Sequence, residues 1–204
     1  MKNIITFALL LFTSSVIAQD LNVVLKEAAN FERSLKEDQA LEKYKQALTI
    51  DPTSTVALVK ASELSAAIGA RQPDKKGKIP LYDAAFTYAL KAVSAAPDNA
   101  DANYVMSVAV ARLAEIETEN KKMVAYVRDI KVYADKALTI NPNHAKANYA
   151  LGKWHSDMVQ MSWAKKAAAK ALFGGLPDAK IEDAIKYMEK ARSLDQYYVV
   201  NYFS

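Results

Sequence analysis

Any chemistry in this chain of 204 residues has to be done without a thiol and with only two imidazoles. The absence of cysteine excludes a disulfide scaffold, a cysteine nucleophile and a cysteine-ligated zinc or iron–sulfur centre. Two histidines, His144 and His155, are too few for an all-histidine metal site within one chain. His144 stands in a turn just after Pro142, near a helix start, where an exposed ring is expected. His155 sits beside Trp154 and reads as a packed ring rather than a catalytic base. Glu115, Glu117 and Glu119 cluster without a histidine, which reads as a solvated helix end rather than a metal site. Gly174-Gly175 is followed by Leu176-Pro177 and not by Lys and Ser/Thr, so no phosphate-cradling loop is formed. No catalytic, cofactor-binding or metal-binding residue is expected, and the chain is not read as an enzyme.

The elements behind these residues are helical. Alanine occurs 36 times against five glycines and six prolines, a composition that favours helix and leaves few breaks. Hydrophobic residues make up 51% and charged residues 25%, a globular balance. The net charge is +4, from 27 basic and 23 acidic residues spread along the chain. No run of five or six like charges occurs, so a nucleic-acid partner is not expected.

Residues 1–18 have the pattern of an export signal. Lys2 supplies a positive start, residues 4–12 an apolar stretch, and Val16-Ile17-Ala18 the small-residue approach to a cut at Ala18/Gln19. The apolar stretch is shorter than the ~20 residues a membrane-spanning helix needs. The expected mature chain is therefore exported, periplasmic or secreted, and membrane contact is not expected of it.

The main signal is internal repetition. Ala47-Leu48-Thr49-Ile50-Asp51-Pro52, Ala92-Val93-Ser94-Ala95-Ala96-Pro97 and Ala137-Leu138-Thr139-Ile140-Asn141-Pro142 place their prolines 45 residues apart. A fourth copy, Ala191-Arg192-Ser193-Leu194-Asp195-Gln196, follows after 54. Ala57, Ala102 and Ala147 lie in register, as do Ser62, Ser107 and Gly152. An alanine five residues before the proline lets two helices cross closely, and the proline, lacking an N–H donor, ends one helix and sets the turn into the next. Apolar residues recur at i, i+3 and i+4 between these marks, as in Leu41, Tyr44 and Leu48, and in Ile181, Ile185 and Met188 with Ala184 and Ala191. Each unit is thus a helix, a turn, a second helix and a proline turn. Residues 70–80, with Pro73, Gly77 and Pro80, read as a loop. Thr118-Glu119-Asn120 reads as a short break, and Gly174-Gly175-Leu176-Pro177 as a helix end.

This pattern resembles the tetratricopeptide repeat, above all in Pro142-Asn143-His144-Ala145-Lys146-Ala147-Asn148-Tyr149-Ala150-Leu151-Gly152 and in Ala40, Tyr44, Ala47 and Pro52. The spacing exceeds the usual ~34 residues, so longer helices or inserted loops are expected. Residues 85–204 further resemble the regulator of microtubule dynamics family. That resemblance rests on Trp154, Trp163, Ala171-Leu172-Phe173, Pro177, Ile181-Glu182-Asp183-Ala184-Ile185-Lys186-Tyr187 and Asp195-Gln196-Tyr197-Tyr198. Family members continue into a further helix after this last point, whereas here the chain ends at Ser204. The resemblance implies the fold; with an export signal, it does not imply tubulin as partner.

The expected fold is an all-α, right-handed, tetratricopeptide-like solenoid of helical hairpins with repeats of about 45 residues, of about three and a half hairpins, over residues 19–204. The repeat register implies that the first helix of each unit lines a concave groove. Val56, Val59 and Glu63 fall there from one unit, Asp101, Tyr104, Val108 and Arg112 from the next, and Lys146, Tyr149, Lys153 and Asp157 from the third. Tyrosines among charges of both signs suit an extended peptide or a partner helix; a plain solvated face is the alternative. Residues 163–173 are the extra segment behind the 54-residue spacing, with Trp163, Ala167, Ala171 and Leu172 on one side and Lys165, Lys166 and Lys170 on another. Two readings are open for it, an interfacial helix on anionic lipid or an added helix packed through Trp163 and Phe173. The last helix, expected near 179–194, leaves part of its apolar face uncovered, so Ile181, Ile185 and Met188, with Tyr202 and Phe203, are a candidate partner or homodimer surface. The functional expectation is an exported binding module that presents its groove to a protein or peptide. The alternative is a structural subunit of an envelope or secretion assembly, joined through its last repeat.

Overall fold

Four times the chain ends a helix with the same bond. The amides of Asp51, Ala96, Asn141 and Asp195 each donate to the carbonyl four residues back, of Ala47, Ala92, Ala137 and Ala191, at 2.9 Å. The four alanines are completely buried. A side chain no larger than a methyl at each point lets the next helix approach the backbone closely, which explains the recurring alanine before each turn.

The computed structural model describes residues 20–197. Nine helices occur among the described residues. They are α1 (20–33), α2 (Glu37–Ile50), α3 (Thr55–Ala70), α4 (Lys75–Ala95), α5 (Ala100–Ile116), α6 (Asn120–Ile140), α7 (Ala145–Gln160), α8 (Trp163–Phe173) and α9 (Ile181–Leu194). No strand occurs among the described residues. The architecture is an all-α stack of hairpins, α1/α2, α3/α4, α5/α6 and α7/α9, with α8 inserted in the last. Consecutive helices pack on one another from α2 to α7, α9 closes the stack on α7, and the first helices meet directly, α3 on α5 and α5 on α7. The 45-residue spacing comes from long second helices, since α4 and α6 have 21 residues each.

The apolar interior runs as two clusters along the stack. One joins Val24 and Ala28 of α1 to Leu41 and Tyr44 of α2 and to Ala57, Ala61, Leu64 and Ile68 of α3. The other joins Leu58 and Val59 to Ala85 and Ala89 of α4, Val105, Met106 and Val110 of α5, and Ala137 and Ala147. Two of the small residues in register, Ser62 and Gly152, lie where the first and second helices of a unit touch. Ser62 Oγ donates to the Ala85 carbonyl at 2.9 Å. A Cβ at Gly152 would lie 2.8 Å from Met188 Cγ and 3.1 Å from the Ala184 carbonyl, so only glycine lets α9 sit this close to α7.

Residues 70–80 are not one loop. Only residues 71–74 connect the helices, and α4 already starts at Lys75. Asp74 caps it, accepting from the Gly77 amide at 2.7 Å. Pro80 is tolerated inside α4 because the bond it forfeits is to Lys76, which is exposed near the helix start. The end of α8 follows expectation, with Gly174 and Gly175 both left-handed at φ 77° and 89°. The packing of α8 does not. Trp163 is 82% exposed, Phe173 is partly buried and Ala169 is buried, so of the two expected anchors only Phe173 is covered at all. What anchors α8 is Arg128 of α6, whose guanidinium donates to the carbonyls of Phe173 and Gly175. The export-signal residues 1–18 lie outside the described residues.

Candidate partner groove

The N-terminal turns of α5 and α7 are built alike. Asn99 caps α5 by accepting from the Ala102 amide at 2.9 Å, and His144 caps α7 by accepting from the Ala147 amide at Nδ1, at 3.0 Å. Asn103 then donates to the carbonyls of Pro97 and Asn99, and Asn148 to those of Pro142 and His144. The Asn six residues after each of these prolines thus bolts the turn to the helix that follows.

His144 is buried, against the expectation of an exposed ring. Its ring lies 5.1 Å from that of Tyr104, and its Nε2 lies 3.0 Å from Asp101 Oδ1. Because Nδ1 accepts, the proton sits on Nε2 and is donated to Asp101. This bond, with the charges of Lys146 and Lys60, holds the Asp101 carboxyl below its ordinary value despite partial burial.

Beside it runs a chain of charges. Lys146 of α7 donates to Glu63 of α3 at 2.6 Å, and Lys60 lies 3.3 Å from Glu63 and 3.3 Å from Glu32 of α1. Tyr44 closes the series, donating to Glu32 at 2.8 Å. Burial and this carboxylate push the Tyr44 hydroxyl well above its usual range. Burial alone would lower the Lys60 pKa, but Glu63 and Glu32 outweigh it and raise the value. Glu63 and Lys146 stand on helices separated by α5, so their contact draws the first helices into a concave surface.

The concavity has a volume of about 410 Å³. Of the residues assigned to it from sequence, Val56, Val59, Glu63, Asp101 and Lys146 line it, and Lys60, His144 and Asp195 join them. Val56 is 58% exposed and forms its apolar lip. The others lie elsewhere. Tyr104 is 5% exposed, under His144 and with Lys146 Nζ 5.9 Å from its ring, so it is floor rather than contact surface. Tyr149 is buried against Ala191 of α9. Both rings fill the joints between helices, which a single-sequence register does not distinguish from the open face. Val108 packs on the core, Arg112 pairs with Glu115, and Lys153 pairs with Asp157 one turn along the exposed side of α7. Glu115 also accepts from the buried Tyr82, whose hydroxyl burial and this bond push up to about 12.

At the other end, Ile181 and Ile185 are 46% and 51% exposed, while Met188 lies against Gly152. Ile185 borders a second concavity of about 820 Å³ with Pro142, Tyr187 and Lys190. Tyr202 and Phe203 lie outside the described residues. His155 is a packed ring, edge-on to Trp154 and stacked on Tyr187, and its Nδ1 accepts the Lys180 amide at 3.3 Å. Burial holds its pKa below the ordinary value; Asp183 opposes this and Lys131 adds to it. Among the described residues no three His, Asp or Glu side chains are placed to hold a metal ion, and no helix is long and apolar enough to cross a membrane.

Stacked antiparallel helix pairs, with proline turns between them and first helices on the inner face, define a tetratricopeptide-like helical-repeat protein. The fold is that of solved proteins of this class. It superposes on TTC0263, a thermophilic tetratricopeptide-repeat protein of Thermus thermophilus, with a TM-score of 0.62 at 16% identity, over 86% of this chain and 75% of that one. It superposes on MamA from Desulfovibrio magneticus RS-1 with a TM-score of 0.51 at 14% identity, over 87% and 76%. Residues 24–204 match the family described as regulator of microtubule dynamics protein 1-3, and the chain belongs to that family. No curated protein matches the chain.

Proposed function

We propose that this chain is a non-catalytic, exported scaffold that holds an extended segment of a protein or peptide partner in the groove across α3, α5 and α7. The observation that carries the reading is the concavity itself, where an exposed apolar lip at Val56 stands beside charges of both signs on three successive first helices. Binding there consists of burying partner side chains on Val56, above the floor that Val59 helps to form, with Asp101, Glu63 and Lys146 setting register and orientation. Export is supported by the leader pattern of residues 1–18. An exported chain would not meet microtubules, so tubulin is not the partner proposed, whatever the family's name.

A second reading is supported by the half-exposed Ile181 and Ile185, which would join copies of the chain or attach it to an envelope assembly through α9. Photo-crosslinking residues at Val56 and at Ile185, in the exported fraction, separate the two. A heterologous adduct at Val56, lost in the Asp101→Lys variant, supports the groove. Chain-to-chain adducts at Ile185, with none at Val56, replace it by the assembly reading. Intact mass of the exported product, beginning at Gln19, tests the leader; a full-length product there refutes it.

A further inference from the structure

We propose that α8 is a docking face for an acidic amphipathic helix of a partner protein, at a place separate from the groove. Arg128 holds this helix by its C-terminal carbonyls, and α8 buries only Ala169. At about 100° per residue, Trp163, Ala164, Ala167, Ala168 and Ala171 fall in the half of the helix opposite Ala169, and Leu172 borders it, about 60° from Ala169. All six are exposed, Trp163 at 82% and Leu172 at 69%. The apolar side of α8 therefore faces solvent, which the needs of this chain's own core do not explain. Trp163 and Leu172 stand on opposite flanks of the helix with alanines between them, and side chains that small admit a second helix at close range.

Charge decides the kind of helix. Lys165 and Lys170 lie on these two flanks, Lys166 lies next to them, and α8 contains no acidic residue. Elsewhere among the described residues some lysines pair with carboxylates, as Lys43, Lys60, Lys131, Lys146 and Lys153 do, and others, such as Lys91 and Lys190, do not; what marks α8 is three lysines along a helix without a single acid. Among the described residues Lys165, Lys166 and Lys170 pair with none; Lys166 reaches only the Val159 carbonyl, at 3.3 Å. Lys165 and Lys166 also stand in or beside the first turn, at the positive end of the helix dipole, and Ser162 supplies no side-chain cap. Glutamates on either side of an apolar stripe would answer all three lysines and this helix end at once. The same charges disfavour a second copy of α8 as occupant.

Trp163 is itself the reporter, because the chain's other tryptophan, Trp154, is buried. The probe is a synthetic helical peptide of about 18 residues, with a leucine stripe flanked by glutamates; a matched peptide carries lysines instead. The expected result on the whole mature chain is a saturable blue shift of Trp163 emission with the glutamate peptide only. Leu172→Ala should weaken binding, and the triple variant Lys165→Glu, Lys166→Glu, Lys170→Glu should reverse the preference by about tenfold or more. These side chains are exposed, and unchanged circular dichroism would establish that the variants fold. No shift with the glutamate peptide, or equal shifts with both peptides, overturns the proposal. So does a shift given by phosphatidylserine vesicles and not by peptide, which would make the face a membrane contact. The groove variant Asp101→Lys should leave the shift intact, so the two sites can fail independently.

Discussion

Replacing Arg128 by methionine should detach α8 while leaving the rest of the stack in place. The guanidinium donates to the carbonyls of both Phe173 and Gly175, and such charge-assisted bonds contribute about 1.5–3 kcal/mol each when well buried. Arg128 is only half-buried, so we expect about 2 kcal/mol for the pair after allowing for solvent. The competing term is packing, in which Ala169 contributes about one buried methyl, roughly 0.8 kcal/mol, beside the partly buried Phe173. A free helix of 11 residues is marginal in water, so undocked α8 frays. At 1.4 kcal/mol per factor of ten, amide exchange in α8 should accelerate about 30-fold. Amides of α5, which Arg128 does not cap, should keep wild-type protection. Unchanged exchange in α8, or equal loss in α5 and α8, would refute the reasoning that this clamp, rather than core packing, holds the helix.

Leu58→Ala removes a side chain that is 1% exposed in the larger apolar cluster, and should cost about 2–5 kcal/mol in chemical denaturation. Gly152→Leu forces side-chain atoms into Met188 and the Ala184 carbonyl; a loss of about 1–3 kcal/mol, with α9 losing exchange protection before α3, is expected. His155 has a depressed pKa in the fold, chiefly from burial, so the unfolded chain takes up its proton first as the pH falls. Its contribution to stability is therefore complete above the ordinary value of 6.5 and is lost as the pH drops below it. Thermal unfolding of His155→Phe should show a flatter slope below that pH, and an unaltered slope would remove His155 as the cause.

The hairpin plan was legible because its marks are local. Alanine, proline and the small residue recur at fixed spacing, and each has a single steric use, at a crossing, a turn or a close approach. Residues 70–80 misled because Pro73, Gly77 and Pro80 resemble a loop; what starts α4 among them is the Asp74 cap, a weaker mark in sequence. For the groove, the register found Val56, Val59, Glu63, Asp101 and Lys146, and it missed Lys60 and the role of His144. Lys60 depends on Glu32, 28 residues away, and no spacing rule reports such a pair. Tyr104 and Tyr149 show the opposite failure: helical periodicity shows which residues share a face, but the curvature of the stack decides whether that face is open or covered. The Asn six residues after Pro97 and after Pro142 was a readable signal for the bolted turns.

The Glu63–Lys146 bond has a mechanical consequence. In an ideal linear array each unit senses only its immediate neighbours, so stability is a sum of intrinsic and adjacent-pair contributions. Here a bond bridges the second and fourth units over the third. Melting that begins at the α7/α9 end must release α3 from its distant tie before the unit between them opens. The array should therefore yield in fewer, larger steps than its hairpin count implies, and a ligand that grips the groove would tighten that coupling.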